Sequence, residues 1–300
     1  MILKKKVIQR AIFRVISSLL LFCPAFLLLN CTQQPAGETA KSGHLMLAVD
    51  RHIAGIAAIQ TDNFSRYYSD ATVTLLPDDS GNSLKHLLDG SVKAALISGT
   101  PEAAEDSLFA QQQRPIRREP VARDAIVCIV NSRNTVISLS TKELGLLFSE
   151  RGKSGEVPLV IANDFRLLSL LAAKTGKKRG ELSPFSCSSE QELIKRVSFD
   201  SRAVGLLFRS SFEQALKEGD NNNIRILPIG GGGEKPSLPT QQNIFEGRYP
   251  LVTLVYYFYY PGDALAAGFG SWLSSGAGQK AFERSFLAPY RLVERTIILK

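Results

Sequence analysis

From residue 44 onward the chain alternates short apolar runs of strand length with segments of helical period. Residues 45–49 read as a strand, and Ile53, Ile56, Ala57 and residues 60–64 then recur at helical spacing. Residues 72–76 alternate polar and apolar and predict a strand, residues 84–88 a short helix behind Ser80-Gly81, and residues 92–97 a further strand. Residues 125–130 form a continuous apolar run of buried-strand character. Ser140-Thr141-Lys142-Glu143 is a capping box, in which hydroxyl and carboxylate satisfy free N–H groups reciprocally, and it opens a helix over 144–148. Residues 157–162 predict a strand leading to a helix over 165–173 closed by Gly176, and a second capping box, Ser189 to Glu192, opens another helix. Residues 203–208 and 224–229 read as strands. Strands alternating with helices imply parallel βαβ units in an α/β protein.

The C-terminal part has the strongest pattern. Residues 251–260 are rich in β-branched and aromatic side chains, with Pro261-Gly262-Asp263 as the stop. Leu265, Phe269, Trp272 and Leu273 then fall on one helical face, within a helix-like stretch over 268–286.

The first 30 residues change the picture of charge. Lys4, Lys5, Lys6, Arg10 and Arg14 precede an uncharged run over 15–29 that closes on Asn30-Cys31. This pattern reads as a lipoprotein signal with Cys31 as the lipidated residue, since the apolar run is short beside a span of roughly 20 residues. Cys23, inside the apolar core before Pro24, suits lipidation less. Removal of residues 1–30 takes five of the 36 basic residues and none of the 28 acidic ones, lowering the formal charge from +8 to +3. No Lys/Arg stripe is interleaved with aromatics, so nothing calls for a nucleic-acid partner. Lys177-Lys178-Arg179 reads as a solvated loop. Residues 32–43 are polar with Pro and Gly and suit a tether.

Cys128 lies in an apolar run and reads as an inert core thiol, whereas Cys187, between serines, is open to exposure; spacing does not decide whether they pair. Three histidines without clustered Cys or carboxylate spacing give no metal site and no cofactor. There is no G-x-S-x-G elbow, and the Gly230 to Lys235 stretch lacks the Gly-Lys-Ser/Thr ending of a phosphate loop, so no catalytic residue is assigned and an enzyme is not expected.

Several segments, in order, resemble the phosphate-binding proteins of ABC importers, particularly their divergent lipoprotein branch in Bacteroidetes-type bacteria. They are Pro120 to Ile126 with Val130-Asn131, Leu139 to Leu144 with Phe148-Ser149, Ser189 to Val197, Arg202-Ala203-Val204-Gly205, Tyr249-Pro250-Leu251 and the C-terminal helix and tail. The resemblance implies a two-lobed periplasmic-binding-protein fold of type II, with mixed sheets and a hinge. Lobe 1 is then expected over 43–120 plus 255–300, lobe 2 over 121–254, with residues 1–30 as signal and 31–43 as tether. It further implies an extracytoplasmic lipoprotein, anchored to a cell-envelope membrane and facing the periplasm or exterior. Such a protein captures inorganic phosphate or a similar oxyanion for ABC permease subunits.

Ligands of open α/β sheets meet the loops at strand ends, where helix starts present free N–H groups. Three loops of the first lobe suit an anion: Asp50-Arg51-His52, Ser80-Gly81-Asn82-Ser83 and Ser98-Gly99-Thr100. From the second lobe Arg166 could face them. The resembled family carries a Gly-Ser-Thr-like turn where Asp50-Arg51-His52 stands, and a Ser-Gly-Thr turn where residues 162–167 stand. A carboxylate at Asp50 would accept a proton from hydrogen phosphate, which a fully ionised anion cannot offer. Alternatives stay open: Ser80 and Thr100 as plain helix caps, Asp50 paired with Arg51, Arg166 paired with Asp164. The altered turns also support a ligand-less lipoprotein of the same fold, acting as a protein-interaction module at the envelope.

Overall fold

The computed structural model describes residues 37–112, 114–150, 155–218 and 223–292. The expected signal segment, Cys23, Cys31 and the last eight residues lie outside the described residues. The chain runs β1 (Gly43–Asp50), a 3-10 turn (Arg51–Ile53), α1 (Ala54–Tyr67), β2 (Ala71–Asp78), α2 (Ser80–Leu88), β3 (Ala94–Ser98), α3 (Ala103–Gln111) and the long β4 (Arg117–Asn131). Then follow β5 (Leu139–Ser140), α4 (Thr141–Ser149), β6 (Val157–Ile161), α5 (Phe165–Thr175), β7 (Phe185–Cys187), α6 (Glu190–Phe199), β8 (Ala203–Phe208) and α7 (Arg209–Glu218). The last elements are β9 (Ile224–Ile226), β10 (Ile229–Gly230), α8 (Gln241–Phe245), β11 (Val252–Tyr259), α9 (Ala264–Ser274), α10 (Gly276–Glu283) and β12 (Ala288–Pro289).

The strands follow the order β2-β1-β3-β11-β4-β8-β6-β7, so β4 is shared by two half-sheets. Its first part, Arg117 to Ala125, pairs antiparallel with β11, and its second part, Ile126 to Asn131, pairs with β8 and β9. β1 is parallel to β2 and β3, and β6 is parallel to β7 and β8. The alternating sequence therefore folds as its pattern predicts, into α/β lobes whose mixed sheets are joined by crossing strands. Pro120 lies inside a central strand, where its missing N–H would break the ladder. The register shifts beside it, between Val255 and Tyr256, as a bulge that accommodates the proline.

Side-chain alternation along β4 explains why the second half-sheet is covered on both faces. Ile126, Cys128 and Val130 join one apolar cluster with Leu144, Phe148, Leu167 and Leu171, while Val127 and Ile129 join another with Leu193, Val197 and Phe212. The first half-sheet divides likewise: Leu45, Leu47 and Val49 pack against Phe64, Phe269 and Trp272, and Ala48 against Leu84, Leu87 and Phe258. At Gly205 an added Cβ would come within 2.5 Å of Leu193 Cδ2, so glycine lets α6 settle on β8.

Several expectations change. The strand expected over 125–130 begins at Arg117, because polar side chains on its first part hide the period. Pro228 divides the run expected over 224–229 into β9 and β10. The C-terminal helix breaks at Ser275, which caps α10 by accepting the Gly278 N–H. Helices α3 and α7 were not foreseen. The end of the expected tether belongs to the body: Glu38 pairs with Lys93 and Thr39 bridges Ser42. Cys187 is buried like Cys128, and both are free thiols. Among the described residues no helix is long and apolar enough to cross a membrane, and no cluster of metal-ligating groups occurs.

Candidate oxyanion site

Strand β1 ends in Asp50, whose side chain is 1 % exposed. Its Oδ2 accepts hydrogen bonds from Ser80 Oγ and from the Ser98 backbone N–H, both at 2.7 Å. Its Oδ1 is buried without a partner. Burial pushes the carboxyl up from 3.8 to about 7, against the pull of the Ser80 and Ser98 bonds and the Arg166 charge, with Asp164 adding to the rise. The surface pair with Arg51 is therefore not formed: Asp50 is turned into the protein, and Arg51 is exposed.

Ser80 is not a cap. The N-cap of α2 is Asp79, which accepts the Asn82 N–H, and this frees the Ser80 hydroxyl for Asp50. Ser83, in the same first turns, is fully buried with its Oγ unpartnered. Gly81 and Asn82 are exposed, and the Asn82 amide is held by Asp78 and Asp79. His52 lies against Phe208 of β8 with ring centroids 4.0 Å apart and planes 6° apart. Its Nε2 is 2.9 Å from Ser98 Oγ. Burial lowers its pKa from 6.5 to about 3, so it is a neutral ring and brings no positive charge.

The third loop turns at Gly99, whose φ of +82° suits glycine, and a Cβ there would also press on Leu170 of α5. Thr100 is not a cap either, since the N-cap of α3 is Glu102. Opposite stands α5, capped by Asp164 through the Leu167 N–H and preceded by Asn163 at φ 62°. Asp164 is raised to about 6, chiefly by burial. Arg166 is 7 % exposed and does not pair with Asp164. Its Nη1 donates to the Thr100 carbonyl at 2.7 Å, and its Nη2 reaches both carboxylate oxygens of Glu105 at 2.7 and 2.8 Å. Its Nε is buried without a partner.

The fold thus gathers Asp50, His52, Ser80, Ser98 and Thr100 with Arg166, holds Ser83 buried nearby on α2, and leaves Arg51, Gly81 and Asn82 on the exposed side. Glu105 and Phe208 were missed by sequence reasoning, and Asp164, weighed there as a partner of Arg166, caps α5 instead. The Pro101-Glu102 start, with Glu105 three residues on, could have revealed α3, because Glu105 accepts the Glu102 N–H as a capping residue does. Buried polar atoms are almost always hydrogen-bonded. An orphan acceptor on Asp50, an orphan hydroxyl on Ser83 and an orphan donor on Arg166 together suit a small ligand that both donates and accepts.

Residues 34–276 match the PBP superfamily domain. Protein SphX of Synechococcus elongatus is 23% identical over 256 residues, covering 78% of this chain and 69% of that protein. In structure the chain is similar to a putative phosphate ABC transporter substrate-binding protein with bound phosphate from Clostridium perfringens, with a TM-score of 0.67 and 13% identity, covering 83% of this chain and 100% of that one. It is also similar to an ABC-type phosphate transport receptor from Vibrio cholerae, with a TM-score of 0.64 and 14% identity, covering 81% and 99%. These likenesses establish the two-lobed fold, and by the match over most of its length the chain belongs to the PBP superfamily.

Proposed function

We propose that this protein is an extracytoplasmic solute-binding lipoprotein, anchored at Cys31, that captures phosphate in the cleft between its lobes for an ABC importer. The observation that carries this reading is the unpartnered Asp50 Oδ1, buried near an unpartnered N–H of Arg166. Hydrogen phosphate complements both: its P–OH donates to Asp50, and its other oxygens accept from Arg166 and from free N–H groups at the helix starts. The Ser83 hydroxyl supplies a further partner. The phosphate-binding proteins that share the fold support the same class of solute.

Titration calorimetry of the full chain with phosphate, arsenate, sulfate and molybdate tests the reading. Phosphate and arsenate should release heat and raise the melting temperature. If none of the four anions does either at millimolar concentration, the second reading takes over, a ligand-less module for protein interaction at the envelope. One observation favours that second reading: protein groups already close over Arg166, with Glu105 and the Thr100 carbonyl holding its outer edge.

A further inference from the structure

The strands β1, β2 and β3 run parallel, so the first lobe has one end at their starts and the anion-facing end, with Asp50, at their finishes. The described chain enters at the starts. Glu38 pairs there with Lys93, just before β3, and the Ala40 carbonyl lies so close to α9 that a Cβ on Gly268 would come within 2.0 Å of it. Glycine thus lets the entering chain settle on α9. The Lys41 amine stands 5.5 Å from the centroid of the Tyr68 ring, Tyr68 lies 5.0 Å from Tyr67, and Tyr67 lies 5.7 Å from Trp272 of α9. One aromatic patch therefore adjoins the point of entry. Tyr67 is 71% exposed, and Ile59, on the same row of α1 eight residues earlier, is 50% exposed. A surface helix ordinarily turns charged residues to water, yet from Ala264 to Gln279, through α9 and into α10, none occurs. Lys41 and Arg66 are offset by Asp62 and Asp70, which leaves the patch nearly neutral.

We propose that this end of lobe 1 is a membrane-docking face, with Tyr67 and Ile59 set into the headgroup layer of the bilayer that holds the chain; this rests on the anchoring at Cys31 proposed above and not on the identity of the anion. The occupant follows from chain length. Gly37 stands six residues beyond Cys31, so the point of entry lies at most roughly 20 Å from the lipidated residue. The surface around that point is the part of the lobe held nearest the lipid, and it is the part that exposes aromatic and apolar side chains. Tyrosine suits the headgroup layer because its ring is apolar and its hydroxyl stays hydrated. A nearly neutral patch needs no anionic lipid. The posture has a consequence for the solute site: β1 spans roughly 25 Å between the patch and Asp50, so a docked lobe 1 holds its anion-facing end away from the bilayer.

Trp272 is the only tryptophan of the chain and lies behind Tyr67, so its fluorescence reports on this face alone. The test expresses the full chain with its signal segment in a bacterial host and reconstitutes it into phosphatidylcholine vesicles, with and without a spin label on the lipid headgroups. Flotation of the vesicles reads the anchoring, and the ratio of fluorescence in labelled and unlabelled vesicles reads the docking. The wild-type chain should float and be quenched. A chain carrying both Tyr67→Glu and Ile59→Glu should float equally and lose most of the quenching. Ile59→Glu alone should lose part of it, which keeps the test decisive if the double variant folds poorly. Phe199→Glu, at a phenylalanine of lobe 2 that is equally exposed, should be quenched like the wild type. A wild-type chain that floats without quenching overturns the proposal, as do patch variants quenched to the wild-type extent or a Phe199→Glu variant that loses as much as they do. A wild-type chain that does not float overturns the anchoring first, and this inference with it.

Discussion

Two aspartates are buried to the same degree, Asp50 at the end of β1 and Asp124 where β4 passes from one half-sheet to the other. Both are pushed above 3.8 mainly by burial, Asp50 to about 7 and Asp124 to about 6. Their hydrogen bonds differ. Asp124 uses both oxygens: Oδ1 accepts the N–H groups of Ala125 and Ser210, and Oδ2 accepts the Ser210 hydroxyl at 2.6 Å. It thereby holds the first turn of α7 against β4, with Arg209 contributing a favourable charge. Asp50 is bonded through Oδ2 alone, and Oδ1 has no partner. Burial and a raised pKa therefore do not distinguish a structural carboxylate from a binding one. The unspent acceptor is the difference on which the proposed binding role of Asp50 rests, because leaving a buried polar atom unsatisfied costs about 1–3 kcal/mol.

The largest expected contrast is in binding. Asp50→Ala should weaken phosphate binding by about 1.5–3 kcal/mol, the range for a hydrogen bond to a charged group, while Asp124→Ala should leave the affinity within about twofold. Calorimetry on both variants decides the matter. Equal losses would mean that Asp50 is as structural as Asp124. Stability should move the other way. Asp124→Ala strips the start of α7 of its acceptor and should cost about 2 kcal/mol in urea unfolding. Asp50→Ala should cost less, since the loss of two bonds is offset by relief from burying a carboxylate.

This comparison was only half visible in the sequence. The run of apolar residues before Asp50 showed a strand ending in a carboxylate, and the loop chemistry at Ser80 and Ser98 marked them as its neighbours to be tested. Parallel pairing of β1 with β2 and β3 makes them so, by bringing three strand ends to one edge. Glu105 was hidden because α3 has no buried residue and hence no apolar period to read. The contact of Glu105 with Arg166 spans 61 positions and depends on how the lobes meet, which no local pattern encodes. Asp124 lies in the Pro120 to Ile126 segment that carries the resemblance, but its role as a cap for α7 follows only from β4 pairing with β8, whose end places Ser210 beside it.

A change of pH separates the two aspartates without ligand. A carboxyl with a raised folded pKa stays protonated in the fold while the unfolded chain has lost its proton, so stability falls as pH rises from 3.8 to the folded value and is level above it. For Asp124 that window ends at about 6, as it does for Asp164, and for Asp50 at about 7. His52 acts oppositely. Its folded pKa of about 3 lies below 6.5, so it adds stability as pH rises through that interval and is silent above it. Between roughly pH 6.5 and 8, largely beyond the titration of the other groups, Asp50 has the highest folded value among them and contributes a falling slope of at most about 1.4 kcal/mol per pH unit. Urea unfolding across this interval should show wild-type stability declining and Asp50→Asn flat, with Asp124→Asn declining like the wild type. A slope that survives in Asp50→Asn would place the titrating group elsewhere.

The smallest expected effect concerns Ser83, which extends the comparison to a hydroxyl. Ser210 and Ser83 both lie in the first turns of helices, and both are almost fully buried. Ser210 gives its proton to Asp124, whereas Ser83 Oγ has no partner. Ser210→Ala should therefore destabilise the protein by about 1 kcal/mol, the usual worth of a protein hydrogen bond. Ser83→Ala removes an unsatisfied polar atom from the interior and should stabilise the ligand-free chain by up to about 1 kcal/mol. If the Ser83 hydroxyl meets the bound anion, the same substitution should weaken phosphate binding several-fold, so that the gain in melting temperature shrinks or reverses when phosphate is added. Melting curves of Ser83→Ala with and without phosphate read both effects at once. A variant that is more stable under both conditions by the same amount would remove Ser83 from the site and leave Asp50 and Arg166 as the groups that define it.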